Sequence, residues 1–363
     1  MNKQFLTRQD TLRSYLQQAE LDALLVFGFE NIRYITGFSG HAAYVIMTQA
    51  ALYLVTDYRY AEQAQNECHN TQVICRDRDN ETLGHCINRL LPASSKLGFE
   101  ASNISVAMWQ GIATELSASL LKPVDAVIDQ MRMVKDDWEV KQIQLAAAIA
   151  DQALNEVLPY FSTGVTERDV ALELEYRMQK LGSEGLSFDT IMLFGERTSL
   201  PHGVPSTQAL KVGDFITLDF GAVVNGYRSD MTRSYLYGDA TQKQRDIYQT
   251  VADAQAAAMA EVRANAPAIN SFNASRRILN DSPFAQYAGE GLGHGVGLFL
   301  HEQPFIKPGC DYVLTAGNVI TIEPGIYIPN FGGVRLEEDI LVTENGYQLL
   351  THAAKPMILP ERN

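Results

Sequence analysis

Cysteine is scarce in this 363-residue chain: there are four, at 68, 75, 86 and 310, with no C-x-x-C spacing. That is too few and too scattered for a disulfide framework, and it fits a reducing compartment. Positive charge is in deficit as well, with 29 Lys and Arg against 43 Asp and Glu and a net charge of −14. An acidic surface repels phosphate backbones and anionic lipid, so no nucleic acid and no membrane partner is expected. No apolar run approaches the ~20 residues of a membrane span, and the opening MNKQFLTRQDTLRSYLQQAE holds no apolar signal core. A cytoplasmic location is therefore expected. The chain also lacks a G-x-S-x-G elbow and a Cys/His nucleophile pattern. GEGLGHG at 289–295 misses the G-x-G-x-x-G spacing of a dinucleotide fingerprint.

What remains is ordinary globular composition, 46% apolar and 20% charged, at a length of about two domains. In the first ~125 residues, LDALLVF (21–27), AAYVIM (42–47), ALYLV (51–55) and SSKLGFE (94–100) read as strands, and the stretch after DYRYAEQA (57–64) reads as a helix. The alternation predicts a small α/β domain. Character changes near residue 130, and the chain is divided here into 1–128 and 129–363. The second part opens on helical patterns at 139–158 and 166–182. Two strand pairs follow, separated by a helix-rich segment from Gln242 to about Leu279.

Each strand pair is an acidic hairpin. In FITLDFGAVVNGYRSDMTRSYLY (215–237), Asn225-Gly226 is a strong two-residue turn signal. Val224 then faces Tyr227, Asp219 faces Thr232, and Asp230 lies diagonal to Asp219 on the same face. In NVITIEPGIYIPNFGGVRLEEDILVT (318–343), a five-residue loop would pair Ile328 with Val334. Glu323 would then face Asp339, with Glu337 diagonal to it. Pro324 disturbs that ladder, and a slip of one residue would move the carboxylates to opposite faces. Two carboxylates buried on one face repel and lose solvation, costs that a cation between them removes.

Histidines accompany them: His294 and His301 in GEGLGHGVGLFLHEQP, and His202 in LPHGVP. A lone histidine is more often a satisfied core or surface residue than a ligand, but three of seven sit in short motifs rich in glycine or proline. Oxygen-rich ligation with one imidazole suits Mn²⁺, and also Co²⁺, Fe²⁺ or Zn²⁺. Four carboxylates match two divalent ions better than one.

At these residues the sequence resembles the pita-bread metallopeptidases, the aminopeptidase P and prolidase group. The matching stretches are SFDTIMLFGERTSLPHGVPS, ITLDFGAVVNGYRSDMTRSY, GLGHGVGLFLHEQP and TIEPGIYIPNFGGVRLEEDILVT, with NIRYITGFSGHAAYVI and LYLVTDYRY near the start. The resemblance spans nearly the whole chain. It implies a creatinase-like α/β N-terminal domain followed by a pita-bread catalytic domain. It also implies a homodimer holding two divalent metal ions, most simply Mn²⁺, with a peptide whose second residue is proline as substrate. Asp219, Asp230, His294, Glu323 and Glu337 would be the metal ligands, and Glu323 the general base. His202 and His301 would bind the substrate carbonyl and help protonate the departing proline nitrogen, and Arg335 would line the substrate site and hold a substrate carboxylate. Two points depart from the pattern or blur it. Many members carry a histidine four residues before His294, where this chain has Glu290, and Glu338 sits beside Glu337. The implied activity is Xaa-Pro aminopeptidase or Xaa-Pro dipeptidase. The alternatives are an aminopeptidase without proline specificity, such as a methionyl-type one, or a non-catalytic binding module on the same fold.

Overall fold

Local signals explain where the long helices begin. In the computed structural model, which describes residues 2–92, 94–116, 121–124 and 126–362, Asp136, Thr166 and Thr241 each form a capping box with the residue three positions on. Each box satisfies backbone donors that the first helical turn would otherwise leave bare. The chain divides into two units between Arg132 and Met133.

The first unit is built on a six-stranded sheet of β1 (Ala23–Val26), β2 (Tyr44–Thr48), β3 (Leu52–Thr56), β4 (Gln72–Cys75), β5 (Leu97–Glu100) and β6 (Leu121–Val124), in the order β4-β3-β2-β1-β5-β6. The middle strands β1, β2 and β3 run antiparallel and the outer pairings are parallel. β1, ALLV, is buried along its whole length, so it shows as an uninterrupted apolar run. The edge strands β4 and β6 are mostly exposed or half-buried. β4 holds only the short run Val73-Ile74-Cys75 and β6 none, which is why the sequence reading passed over them, and Pro123 is tolerated because β6 lies at an edge.

The second unit adds β7 (Ile191–Phe194), β8 (Phe215–Phe220), β9 (Val223–Val224), β10 (Tyr227–Arg228), β11 (Met231–Tyr237), β12 (Gly293–Gly295), β13 (Glu302–Ile306), β14 (Val319–Ile322), β15 (Gly325–Ile328), β16 (Gly332–Arg335), β17 (Glu338–Thr343), β18 (Gly346–Leu349) and β19 (Ile358–Leu359). These form a sheet β19-β11-β8-β7, a sheet β13-β12-β14-β17-β18, and the two-stranded ribbons β9-β10 and β15-β16. The helix Asp137–Val157 presents Ala146, Ala150, Ala153, Leu154 and Val157 to a core shared with Ile216, Leu218, Phe220, Met231 and Tyr235. Its small side chains let the helix lie close to the sheet. Each large apolar side chain sealed there contributes roughly 1.5–3 kcal/mol.

The first hairpin has the expected register: Tyr227 pairs with Val224, and Thr232 with Asp219. The second does not. β15 and β16 pair Ile328 with Gly332 and Ile326 with Val334, so the loop is three residues and not five. Asn330 takes a left-handed φ of 58° and Gly332 a φ of 132°, which closes the turn early and draws both glycines into the strand. Thr321, not Glu323, therefore faces Asp339. The displacement is two residues, and a shift of two leaves every side chain on its expected face.

Candidate active site

The two acidic hairpins meet through backbone and side-chain hydrogen bonds. The N–H of Asp230 donates to Asp339 Oδ2 at 2.8 Å, that of Glu337 to Thr232 O at 3.2 Å, and Arg233 Nη1 to Glu337 O at 2.6 Å. Asp219 near the end of β8, Asp230 just before β11, and Glu337 between β16 and β17 are thereby turned toward one another. His294 arrives on β12, between β13 and β14. A Cβ on Gly293 would lie 2.0 Å from Thr321 O, and one on Gly295 2.2 Å from Gln303 O. Only glycine on either side of His294 allows its strand to fit there.

The donor atoms of Asp230, His294 and Glu337 all lie within 4.8 Å of one another. His294 Nδ1 faces Gly295 O at 3.1 Å, which leaves Nε2 pointing at Glu323 Oε1 (3.4 Å) and Asp230 Oδ2 (3.6 Å). Burial, compounded by Glu337, Asp219, Asp339 and Glu323, holds the Asp230 carboxyl well above its usual range. Burial and the charges of Glu323 and Asp219 do the same to Glu337. Asp219 is also raised by burial, against the pull of Arg335, and its Oδ1 is buried without a hydrogen-bond partner. Glu323 is the exception. Burial pushes it up, but His294 and Arg335 outweigh that and its pKa is lowered. Its side chain is 26% exposed, against 12% for Asp219 and 6% for Asp230, so it is the carboxylate of this group most open to the cavity. Crowded, sealed carboxylates with an orphaned oxygen and one imidazole fit divalent cations.

Above the cluster lies a cavity of about 630 Å³ lined by His202, Asp219, Asp230, His294, His301, Glu323, Arg335 and Glu337 together with Tyr327, Leu186, Phe188, Ile191 and Leu300. All eight residues read from the sequence as metal-binding, catalytic or substrate-facing are in that wall. His301 stacks edge-on to His294, centroids 4.4 Å apart. Burial and the neighbouring His294 lower its pKa. Glu338 faces elsewhere, bound to Arg233 at 2.8 Å and Lys355 at 2.5 Å, as strand alternation requires. Glu290 is exposed and does not line the cavity.

Arg335 is nearly sealed. Its Nη2 reaches Asp219 Oδ2 at 2.5 Å, Nε donates to Thr232 Oγ1 at 3.0 Å, and Nη1 serves Pro201 O (3.1 Å) and Tyr327 Oη (2.9 Å). Thr232 in turn donates to Glu337 Oε2 at 2.6 Å, and Thr321 Oγ1 reaches Glu323 at 3.3 Å. Thr232, Thr321, Tyr327 and Asp339 were not read as site residues. The signal for the two threonines was there, since Thr232 faces Asp219 across the hairpin and Thr321 shares a strand face with Glu323.

This fold and site define a two-domain metallopeptidase. The profile of metallopeptidase family M24 matches residues 141–344, and that of the creatinase/prolidase N-terminal domain matches 8–134. The chain belongs to that family, whose chemistry implies divalent metal ions. It is 35% identical to a Xaa-Pro dipeptidase of Pyrococcus horikoshii over 346 residues, 95% of this chain and 96% of that one. Among solved structures, a Xaa-Pro dipeptidase from Bacillus anthracis has a TM-score of 0.92 at 34% identity, covering 98% of this chain and 100% of that one. An X-Pro aminopeptidase from Thermotoga maritima has a TM-score of 0.88 at 31% identity, covering 97% and 99%.

Proposed function

We propose that this protein is a dinuclear-metal Xaa-Pro peptidase, hydrolysing the bond between an N-terminal residue and proline. The observation that carries this reading is a buried four-carboxylate, one-imidazole cluster at the base of a cavity whose wall holds two further histidines. The 35% identity to a Xaa-Pro dipeptidase over almost the full chain supports it. Asp219, Asp230, His294, Glu323 and Glu337 would hold two divalent ions, Mn²⁺ in this proposal, which when bound supply Lewis acidity to a scissile carbonyl and to water. Glu323, the most open carboxylate, takes the proton from the attacking water. His202 and His301 hold the carbonyl and return a proton to the departing proline nitrogen. Leu186, Phe188, Ile191 and Leu300 give the cavity apolar wall. A homodimeric assembly and a cytoplasmic location belong to the same reading. The four free cysteines support the latter.

Proline's amide is tertiary and has no N–H, so a site that needs that donor rejects it while a site shaped for the ring selects it. Ala-Pro-type substrates should be cleaved and the matching Ala-Ala compounds at least ~10-fold more slowly. Equal rates, measured by release of the free amino acids, would favour the aminopeptidase without proline specificity.

Arg335 offers a second test. Its guanidinium is already engaged by Asp219, Thr232, Tyr327 and Pro201, an arrangement that competes with holding a substrate carboxylate. Removing one partner of a buried ion pair leaves the other charge uncompensated, at a cost of ~3–5 kcal/mol. Arg335→Met should therefore destabilise the metal-free protein and damage turnover of Xaa-Pro dipeptides and longer Xaa-Pro peptides alike. Damage confined to dipeptides, with metal intact, would assign the carboxylate-holding role to Arg335.

A further inference from the structure

We propose that Glu167 is a positioning residue for His202, holding it through the backbone of segment 194–206 without touching its ring. The inference rests on the reading of His202 as a substrate-facing group.

Glu167 opens the helix Glu167–Lys180 and has no solvent exposure. Five hydrogen bonds converge on its carboxylate. Oε1 accepts from the Phe194 N–H at 2.8 Å and from Arg197 Nε at 3.0 Å. Oε2 accepts from Ser206 N–H at 2.8 Å, Ser206 Oγ at 2.6 Å and Arg197 Nε at 3.1 Å. Phe194 and Ser206 are the two ends of the segment that carries His202, so one carboxylate pinches both. Within the segment, Arg197 Nη2 reaches across to Val204 O at 2.7 Å. Thr198 Oγ1 accepts from the Gly333 N–H at 2.8 Å, and Pro201 O accepts from Arg335 at 3.1 Å.

His202 itself is exposed, and no hydrogen bond among the described residues involves its ring. With no such bond to place the ring, its position depends on the backbone that carries it. A carboxylate withdrawn from water is tolerable only when charge and N–H donors compensate it. Here the compensating donors are the anchors of the loop, so the requirement to satisfy the buried charge also fixes the loop. None of Asp219, Asp230, His294, Glu323 or Glu337 lies on that segment, so its position can be disturbed without removing a proposed metal ligand.

The test is a double-mutant cycle on the reconstituted, full-length protein. Glu167→Gln places an amide where two backbone N–H groups need acceptors. It should lower kcat on an Xaa-Pro substrate at least ~10-fold, since small misplacements of a reacting group are costly, with metal content unchanged. In a His202→Ala background, the same substitution should change kcat by less than about two-fold, because residues acting through one group are not additive. A full ~10-fold loss in that background would overturn the proposal, since it would show Glu167 acting by some other route. Amide hydrogen exchange gives a readout independent of activity: exchange across 195–205 should accelerate in Glu167→Gln while Phe215–Phe220 stays protected. Unchanged exchange would also overturn it. If Glu167→Gln does not fold, Arg197→Met replaces it, since the Arg197 side chain is 29% exposed and still supplies bonds to both Glu167 and Val204. The same collapse of its effect in the His202→Ala background is expected. A wild-type protein that cleaves no Xaa-Pro substrate refutes the functional reading; the exchange result judges the positioning role on its own.

Discussion

Glu323→Gln is expected to reduce turnover at least ~10²-fold, the lower end of what a positioned general base contributes. Gln preserves the shape of the side chain and its bond from Thr321 Oγ1, but it neither carries charge nor accepts a proton from water. The assignment rests on contrast within the cluster. Asp230 and Glu337 are raised by burial and by neighbouring carboxylates, whereas His294 and Arg335 hold Glu323 below its ordinary value. Its side chain is also more exposed than those of Asp219 and Asp230. The backbone supports it there, its N–H donating to Leu292 O at 2.8 Å. Metal must be measured on the same sample, because the proposed base is also a proposed ligand. Wild-type turnover in a variant with full metal would show that the base is another group.

Removing the metals should produce the second large effect, visible in stability as well as activity. Turnover should vanish with chelator and return with Mn²⁺ or Co²⁺, and metal analysis after reconstitution should give about two equivalents per chain. Less than half an equivalent would refute the dinuclear reading and favour the non-catalytic module. A ligand that binds only the folded state adds about 2.7 kcal/mol at a hundred times its Kd. Two such sites in a unit of this size correspond to a Tm rise of ~10 °C or more.

The pH dependence has a definite sign. In the metal-free protein the Asp230 and Glu337 carboxyls are raised, and Asp339 is pushed up to about 8 by burial, whereas unfolded carboxyls titrate near ~4. A group raised in the folded state contributes stability that is fully present below its unfolded pKa and is lost as pH climbs through the folded value. For Asp339 that window runs from ~4 to about 8. Bound cations reverse the preference by favouring the ionised carboxylates. The gap in Tm between metal-loaded and chelated protein should therefore widen from pH 5.5 to pH 8. A gap that narrows would show that the cluster does not carry the metals.

The outcome separates neatly into what lies within a hairpin and what lies between hairpins. The Asn225-Gly226 turn and simple alternation were enough to place Asp219 opposite Thr232, because a two-residue turn leaves no freedom in the pairing. The same period-two rule put Glu337 and Glu338 on opposite faces. The second hairpin was two residues out, because Asn330 and Gly332 accept backbone angles that closed its turn early, but the faces survived the error. Apolar spacing announced the long helices, and the structure adds the capping boxes that start them. Edge strands β4 and β6 were silent, since a strand that buries little carries no hydrophobic pattern.

By itself, then, the sequence determined the two-part organisation, the metallopeptidase family and the carboxylates and histidines that now share one cavity wall. The organisation and the site residues follow from local pattern and residue chemistry, and the family from a resemblance spanning nearly the whole chain. Only the tertiary structure decided how the two hairpins lock together, through Asp230 to Asp339 and Thr232 to Glu337. It also decided that Arg335 spends its guanidinium on Asp219, that Glu338 turns away to Arg233 and Lys355, and that Glu167 gathers both ends of the His202 segment. These contacts join residues from 17 positions apart, for Glu338 and Lys355, to 116 apart, for Asp219 and Arg335. No local periodicity encodes such a pairing; it exists only once burial has stripped water from both partners and left each as the other's remaining source of hydrogen bonds.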